Sequence, residues 1–215
     1  MFFALMLFSV LITGCGEKKD KVVIYTSAED FRVEYFKQRL NEKCPNYDIV
    51  IEYMSTGDHA ARLLSEGTET EADITLDIEY GYVERLAEKG YLADLSEYDF
   101  SIFTEDMVAG NFYLPEQRSG GAIIVNSELL KEKGLEEPKS YEDLLKPEYK
   151  GLISMPNPKS SGTGYMFLKS LVNAWGEEKA FNYFDKLTEN ILQYTSSGSG
   201  PVNALVQGEA AIGLG

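Results

Sequence analysis

Cysteine is scarce in this chain: Cys15 and Cys44 are the two among 215 residues. Two thiols cannot make the disulfide framework of a small secreted scaffold. Histidine is scarcer, with His59 alone, so no His/Cys cluster of the kind that holds zinc can form. A serine hydrolase would need a nucleophile beside a positioned base. The one histidine follows Asp58, and no Gly-x-Ser-x-Gly elbow is present; Ser197-Gly198-Ser199-Gly200 comes near that pattern but lacks the leading glycine. The hydrolase is therefore a remote alternative, and the expectation is a protein that is not an enzyme and carries no cofactor or metal ion. Basic charge is short too. Twenty Lys+Arg stand against 35 Asp+Glu, a formal net charge of −15, and no Lys/Arg cluster offers the basic face that a nucleic-acid partner would need. Long apolar runs are missing as well: residues 1–14 are almost wholly apolar, but a spanning helix needs about twenty.

What is present is enough for a packed core. Hydrophobic residues make up 44% of the chain and aromatics 12%, and the length allows one or two domains. The apolar stretch at residues 1–14 has the length of the core of a secretory signal. It ends in Leu11-Ile12-Thr13-Gly14-Cys15, which resembles the bacterial lipobox. That resemblance implies lipid on Cys15 and export to the outer face of the cytoplasmic membrane. Residues 1–15 are then a lipoprotein signal peptide and 16–21 a polar tether. With Cys15 lipidated, Cys44 has no partner. It falls in register with Val33, Phe36 and Leu40, which predicts a small core residue on one helical stripe.

Further along, short apolar runs alternate with helical patterns. Strands are expected at Val22–Tyr25, Asp48–Met54 and Ala72–Ile78, with helices after each. That is the rhythm of a parallel sheet with crossover helices. Gly120-Gly121-Ala122-Ile123-Ile124-Val125-Asn126 then interrupts the pattern, and a second series follows. It has strands at Leu152–Met155, Ile191–Tyr194 and Ala210–Leu214 and helices between them. The predicted fold class is α/β with two lobes: residues 22–119, a crossing strand at 120–126, and residues 127–215.

The strand ends repeat one chemistry. Thr26-Ser27, Ser55-Thr56-Gly57, Ser160-Ser161-Gly162-Thr163-Gly164 and Ser197-Gly198-Ser199 each lie between a strand and a helix. Helix N-termini present unpaired N–H groups and partial positive charge, glycine allows close approach, and hydroxyls add donors. Ligands of open α/β sheets sit at the carboxyl ends of strands. The candidate ligand-binding residues are therefore Thr26, Ser27, Thr56, Gly57, Asp77, Ser160, Ser161, Gly162, Thr163, Gly164, Ser197, Gly198 and Ser199. The alternative for any one loop is plain helix capping.

Together the lipobox, Val23-Ile24-Tyr25-Thr26-Ser27, the 120–126 crossing, Ser160–Tyr165 and Val206-Gln207-Gly208-Glu209-Ala210-Ala211-Ile212-Gly213 resemble the extracellular solute-binding proteins of ABC importers. The likeness is to the type II periplasmic-binding-protein group of ferric-iron, phosphonate, sugar-phosphate and polyamine binders. It implies a periplasmic-binding-protein-like fold that closes on a small-molecule ligand, acts as a monomer and delivers to an ABC permease. Family members continue well past the point equivalent to Gly215, so the resemblance also implies a C-terminally truncated chain with an incomplete second lobe. A small polar anion (phosphonate, phosphate ester or carboxylate) suits the Ser/Thr/Gly loops. Ferric iron is the main rival; family iron binders supply adjacent tyrosines, and no Tyr-Tyr pair occurs here. Glu29, Asp58, Asp77 and Glu79 could instead receive the amine of a polyamine or aminophosphonate, or could simply cap helices.

Overall fold

The computed structural model describes residues 19–104, 107–108 and 110–215. The leader, Cys15 and the first half of the tether lie outside them. The chain forms β1 (Asp20–Thr26), α1 (Asp30–Lys43), β2 (Tyr47–Tyr53), α2 (Thr56–Glu66), β3 (Ile74–Leu76) and α3 (Tyr80–Glu88). An irregular stretch leads to β4 (Ile123–Val125) and α4 (Ser127–Glu132). Then come β5 (Ile153–Pro156), α5 (Gly162–Trp175), α6 (Glu177–Thr188), β6 (Ile191–Thr195), α7 (Gly200–Val206) and β7 (Ile212–Leu214).

Two sheets result. The first has the order β2-β1-β3, all parallel, and the second the order β4-β7-β5-β6. β1 is central, which is why Val23, Ile24, Tyr25 and Thr26 are buried on both faces rather than in alternation. It begins earlier than the sequence suggests: Asp20 and Lys21, expected in the tether, pair with Tyr47 and Asp48. In the second sheet β5 is parallel to β6 and β7, whereas β4 runs antiparallel to β7. The predicted crossing strand is thus a short edge strand of the second sheet. The entry from the first lobe is fixed by Ala122 and Gly215, which exchange backbone hydrogen bonds of 2.8 and 3.0 Å.

The second lobe has the larger core. Ile153, Met155, Phe167, Leu171, Leu187 and Ile212 pack in it, flanked by edge-to-face contacts among Tyr141, Trp175, Tyr183 and Phe184. Its capping turn is reciprocal: Ser140 Oγ accepts from the Asp143 N–H, and the Asp143 carboxylate accepts from the Lys139 N–H. The first lobe packs a smaller cluster of Val23, Tyr25, Leu63 and Leu86. Helix α1 departs from expectation because none of its residues is fully buried. It ends at Lys43, so Cys44 is a half-buried cap position whose N–H donates to the Leu40 carbonyl, not a core residue. β3 is also shorter than the predicted Ala72–Ile78. The chain leaves the ladder at Asp77, whose φ of 56° no strand accommodates.

The lobes touch directly. The Gly57 N–H donates to the Ser160 carbonyl across 2.9 Å, and Tyr82 of α3 stacks on Tyr165 of α5 with ring centres 5.0 Å apart. A third link joins α1 to the loop before α7, where Ser199 Oγ donates to Glu29 Oε1 at 2.9 Å.

Candidate functional site

The loops after β1, β2, β5 and β6 converge on one cleft of about 1050 Å³ between the lobes. Ser27 and Thr56 reach it from the first lobe, and Ser161, Gly162, Thr163, Ser197, Gly198 and Ser199 from the second; Asp77 joins them. At the mouth of α5 the Ser161 hydroxyl caps the helix by accepting from the Gly164 N–H. The amides of Gly162, Thr163, Gly198 and Ser199 make no hydrogen bond among the described residues. The two second-lobe loops are pressed together. A Cβ on Gly198 would lie 2.2 Å from Thr163 Oγ1, so glycine alone permits the approach. The unpaired donors therefore form one surface, with the positive end of α5 behind it.

Four of the candidate residues do not line this cleft. Thr26 is fully buried and its Oγ1 accepts from the Ala28 N–H. Gly57 and Ser160 are spent on each other at the interlobe contact, where a Cβ on Gly57 would fall 2.0 Å from the Lys159 carbonyl oxygen. Gly164 is buried beneath the first turn of α5. Sequence pattern alone does not tell which member of a run of small residues faces out and which packs inward.

Other cleft residues carry no strand-end signature. Arg32, in the first turns of α1, donates to Asp77 Oδ2 at 2.6 Å and to Glu116 Oε1. Gln117 donates to the other Asp77 oxygen at 3.3 Å, and Ser27 Oγ donates to the Asp77 carbonyl at 2.8 Å. Glu79 caps α3 by accepting from the Gly81 N–H, and burial pushes its carboxyl up. Tyr80, Tyr98, Phe112 and Tyr113 add an aromatic wall, with Tyr80 and Tyr113 5.5 Å apart. Nothing marked Glu116 as a site residue, because it is 84 positions from Arg32 in an irregular segment.

His59 is buried behind the Ser27 and Thr75 lining of the cleft, between Ser27 Oγ (3.0 Å from Nδ1) and Thr75 Oγ1 (2.8 Å from Nε2). The Ser27 proton goes to the Asp77 carbonyl, so Ser27 accepts from Nδ1–H, and the bare Nε2 accepts from Thr75. The imidazole hands a proton toward the serine instead of taking one. Burial lowers its pKa to about 4, so it is neutral at neutral pH. Among the described residues no group of three His, Cys, Asp or Glu is placed to hold a metal ion, and no helix is long and apolar enough to cross a membrane.

A family model described as bacterial extracellular solute-binding protein matches residues 25–215, and the chain belongs to that family. It is similar to the periplasmic binding protein AfuA from Actinobacillus pleuropneumoniae, solved with exogenous fructose-6-phosphate bound. The identity is 30% and the TM-score 0.75, over 92% of this chain and 64% of that one. An uncharacterized protein of Haemophilus influenzae is 28% identical over 99% of this chain and 63% of its own length. A thiamine-binding periplasmic protein of Brucella abortus biovar 1 is 27% identical over 97% of this chain and 62% of its own length. The chain thus spans a little under two thirds of these relatives. The two-lobe α/β architecture expected from the strand and helix pattern is in keeping with the structural likeness to the Actinobacillus protein.

Proposed function

We propose that this chain is the solute-binding component of an ABC import system. It captures a small polar oxyanion, such as a phosphonate, phosphate ester or carboxylate, between its lobes and passes it to a membrane permease. The observation that carries this reading is the convergence of unpaired amides at Gly162, Thr163, Gly198 and Ser199 on one cleft, alongside the hydroxyls of Thr56 and Thr163. Donors of this kind bind an anion without a lysine cluster. The proposal keeps the lipid anchor on Cys15, a location outside the cytoplasmic membrane and a monomeric state. No bond is made or broken in it, in keeping with a histidine that is wrongly protonated to serve Ser27 as a base.

A second reading has a specific support. Asp77, Glu79 and Glu116 line the same cleft beside the aromatic wall, which would suit an amine or a cationic ring. The Brucella relatives are named for thiamine. Ferric iron, the third reading, finds no group of three His, Cys, Asp or Glu placed to hold it among the described residues.

The test is calorimetric titration with fructose-6-phosphate, methylphosphonate, citrate, spermidine and thiamine. Thr163→Val removes one donor and keeps the shape. Losing a hydrogen bond to a charged ligand costs about 1.5–3 kcal/mol, so affinity for an oxyanion should fall by roughly 10- to 100-fold. Binding of spermidine or thiamine alone, unchanged in Thr163→Val, would replace the anion reading with the second one.

A further inference from the structure

Arg32 lies in the cleft between two carboxylates, Asp77 and Glu116, and the two are held very differently. Asp77 is over-determined. It receives Arg32 on one oxygen, Gln117 on the other and Ser27 on its carbonyl, in a left-handed backbone conformation with φ 56° that aspartate tolerates better than most residues. Glu116 lies in a segment without helix or strand, and Arg32 is its hydrogen-bond partner among the described residues. Burial pushes the Glu116 carboxyl up, and the neighbouring Asp77 charge adds to that push against the pull of Arg32. One guanidinium thus serves two carboxylates, and Glu116 is the less anchored of them.

A carboxylate and a phosphoryl group offer a guanidinium the same paired oxygens. We propose that Glu116 occupies on Arg32 the place of a ligand oxyanion, and that an anionic ligand gains Arg32 by displacing Glu116 while Asp77 keeps the arginine in position. A parallel contact fits this picture: the cleft hydroxyl of Ser199 is taken by the carboxylate of Glu29, on the same end of α1 as Arg32. Two donors of the cleft are therefore covered by the protein's own carboxylates. The inference rests on the anion reading above and adds a ligand contact, Arg32, and an internal competitor, Glu116.

The sign of one substitution tests it. Glu116→Gln keeps size and hydrogen bonding but removes the competing charge. Inorganic phosphate, fructose-6-phosphate and citrate are titrated calorimetrically into wild type, Glu116→Gln, Arg32→Gln and the double variant. The expected result is about two- to fivefold tighter binding of the same probe in Glu116→Gln, the scale of one partly exposed ion pair. Arg32→Gln should weaken binding, and Glu116→Gln should bring no gain in its background. A merely structural role for Glu116 would not raise affinity. If wild type binds a probe and Glu116→Gln binds it equally or more weakly, displacement is overturned while the anion reading stands. If no variant binds any of the three, the anion reading and the Arg32 assignment fall together.

Discussion

His59 lies fully buried, bridging Ser27 and Thr75, and so ties the first-lobe wall of the cleft to the core. Its folded pKa of about 4 lies below the usual 6.5, so the unfolded chain takes up a proton that the folded chain refuses. Stability from this residue is therefore complete above pH 6.5 and is lost as pH falls through 6.5 toward 4, where the loss reaches about 3 kcal/mol. Urea unfolding at a series of pH values should show that slope in wild type. His59→Gln, which can still donate to Ser27 and accept from Thr75, should remove this part of it. An unchanged slope would mean that His59 titrates freely in the folded state. At this scale the sequence is a partial guide. Runs such as Ser160–Gly164 mark loops that border the cleft, because hydroxyl and glycine residues cluster where a helix begins. They do not separate Thr163, which faces the cleft, from Gly164, which is buried. Arg32 carried no signal in the sequence, because its partners Asp77 and Glu116 lie 45 and 84 positions away.

Helix N-termini do two jobs here, since the first turn of α5 faces the cleft while the first turn of α2 meets the other lobe at Ser160. Gly57 in α2 separates those jobs experimentally. An added methyl would fall 2.0 Å from the Lys159 carbonyl oxygen, a backbone atom of the opposite lobe that no side-chain rotation can clear. Within its own helix, alanine is favoured over glycine by about 1 kcal/mol. Gly57→Ala should therefore leave each lobe at least as stable while forcing the lobes apart. The expected outcome is unchanged helix content, a larger radius of gyration in small-angle scattering and weaker ligand binding. A compact variant with wild-type affinity would show that this contact is not part of the closed state. Elements were more legible than residues. Continuous apolar runs such as Val22–Tyr25 and Leu152–Met155 give buried parallel strands, and β1 and β5 are found there. A strand was expected at 120–126 and β4 is there, but its antiparallel pairing was not legible, because it depends on β7, nearly ninety residues on, and a three-residue apolar run carries no record of its partner. α1 was overestimated for a related reason: an apolar stripe shows which face turns inward, not whether enough structure lies over it to bury it.

At the scale of the whole molecule, a formal net charge of −15 surrounds a cleft whose Arg32–Asp77–Glu116 cluster is itself net negative. Such a field acts over distance, whereas amide and hydroxyl donors act only on contact. An anionic ligand must approach against the field and is held once it arrives; a cationic ligand is drawn in. Salt distinguishes the two because the screening length falls from about 30 Å at 0.01 M to about 10 Å at 0.1 M. Stopped-flow fluorescence of the cleft tyrosines should thus show the association rate of a phosphate ester rising severalfold across that range, the reverse of ordinary charge-steered binding. For spermidine or thiamine the same change should lower the rate. Dissociation should respond less in either case, since contacts inside a closed cleft are poorly screened. The direction of the salt effect reports the ligand's charge without any substitution. An association rate for a phosphate ester that falls with salt would mean that a local positive potential, centred on Arg32 after Glu116 has moved away, outweighs the charge of the whole protein.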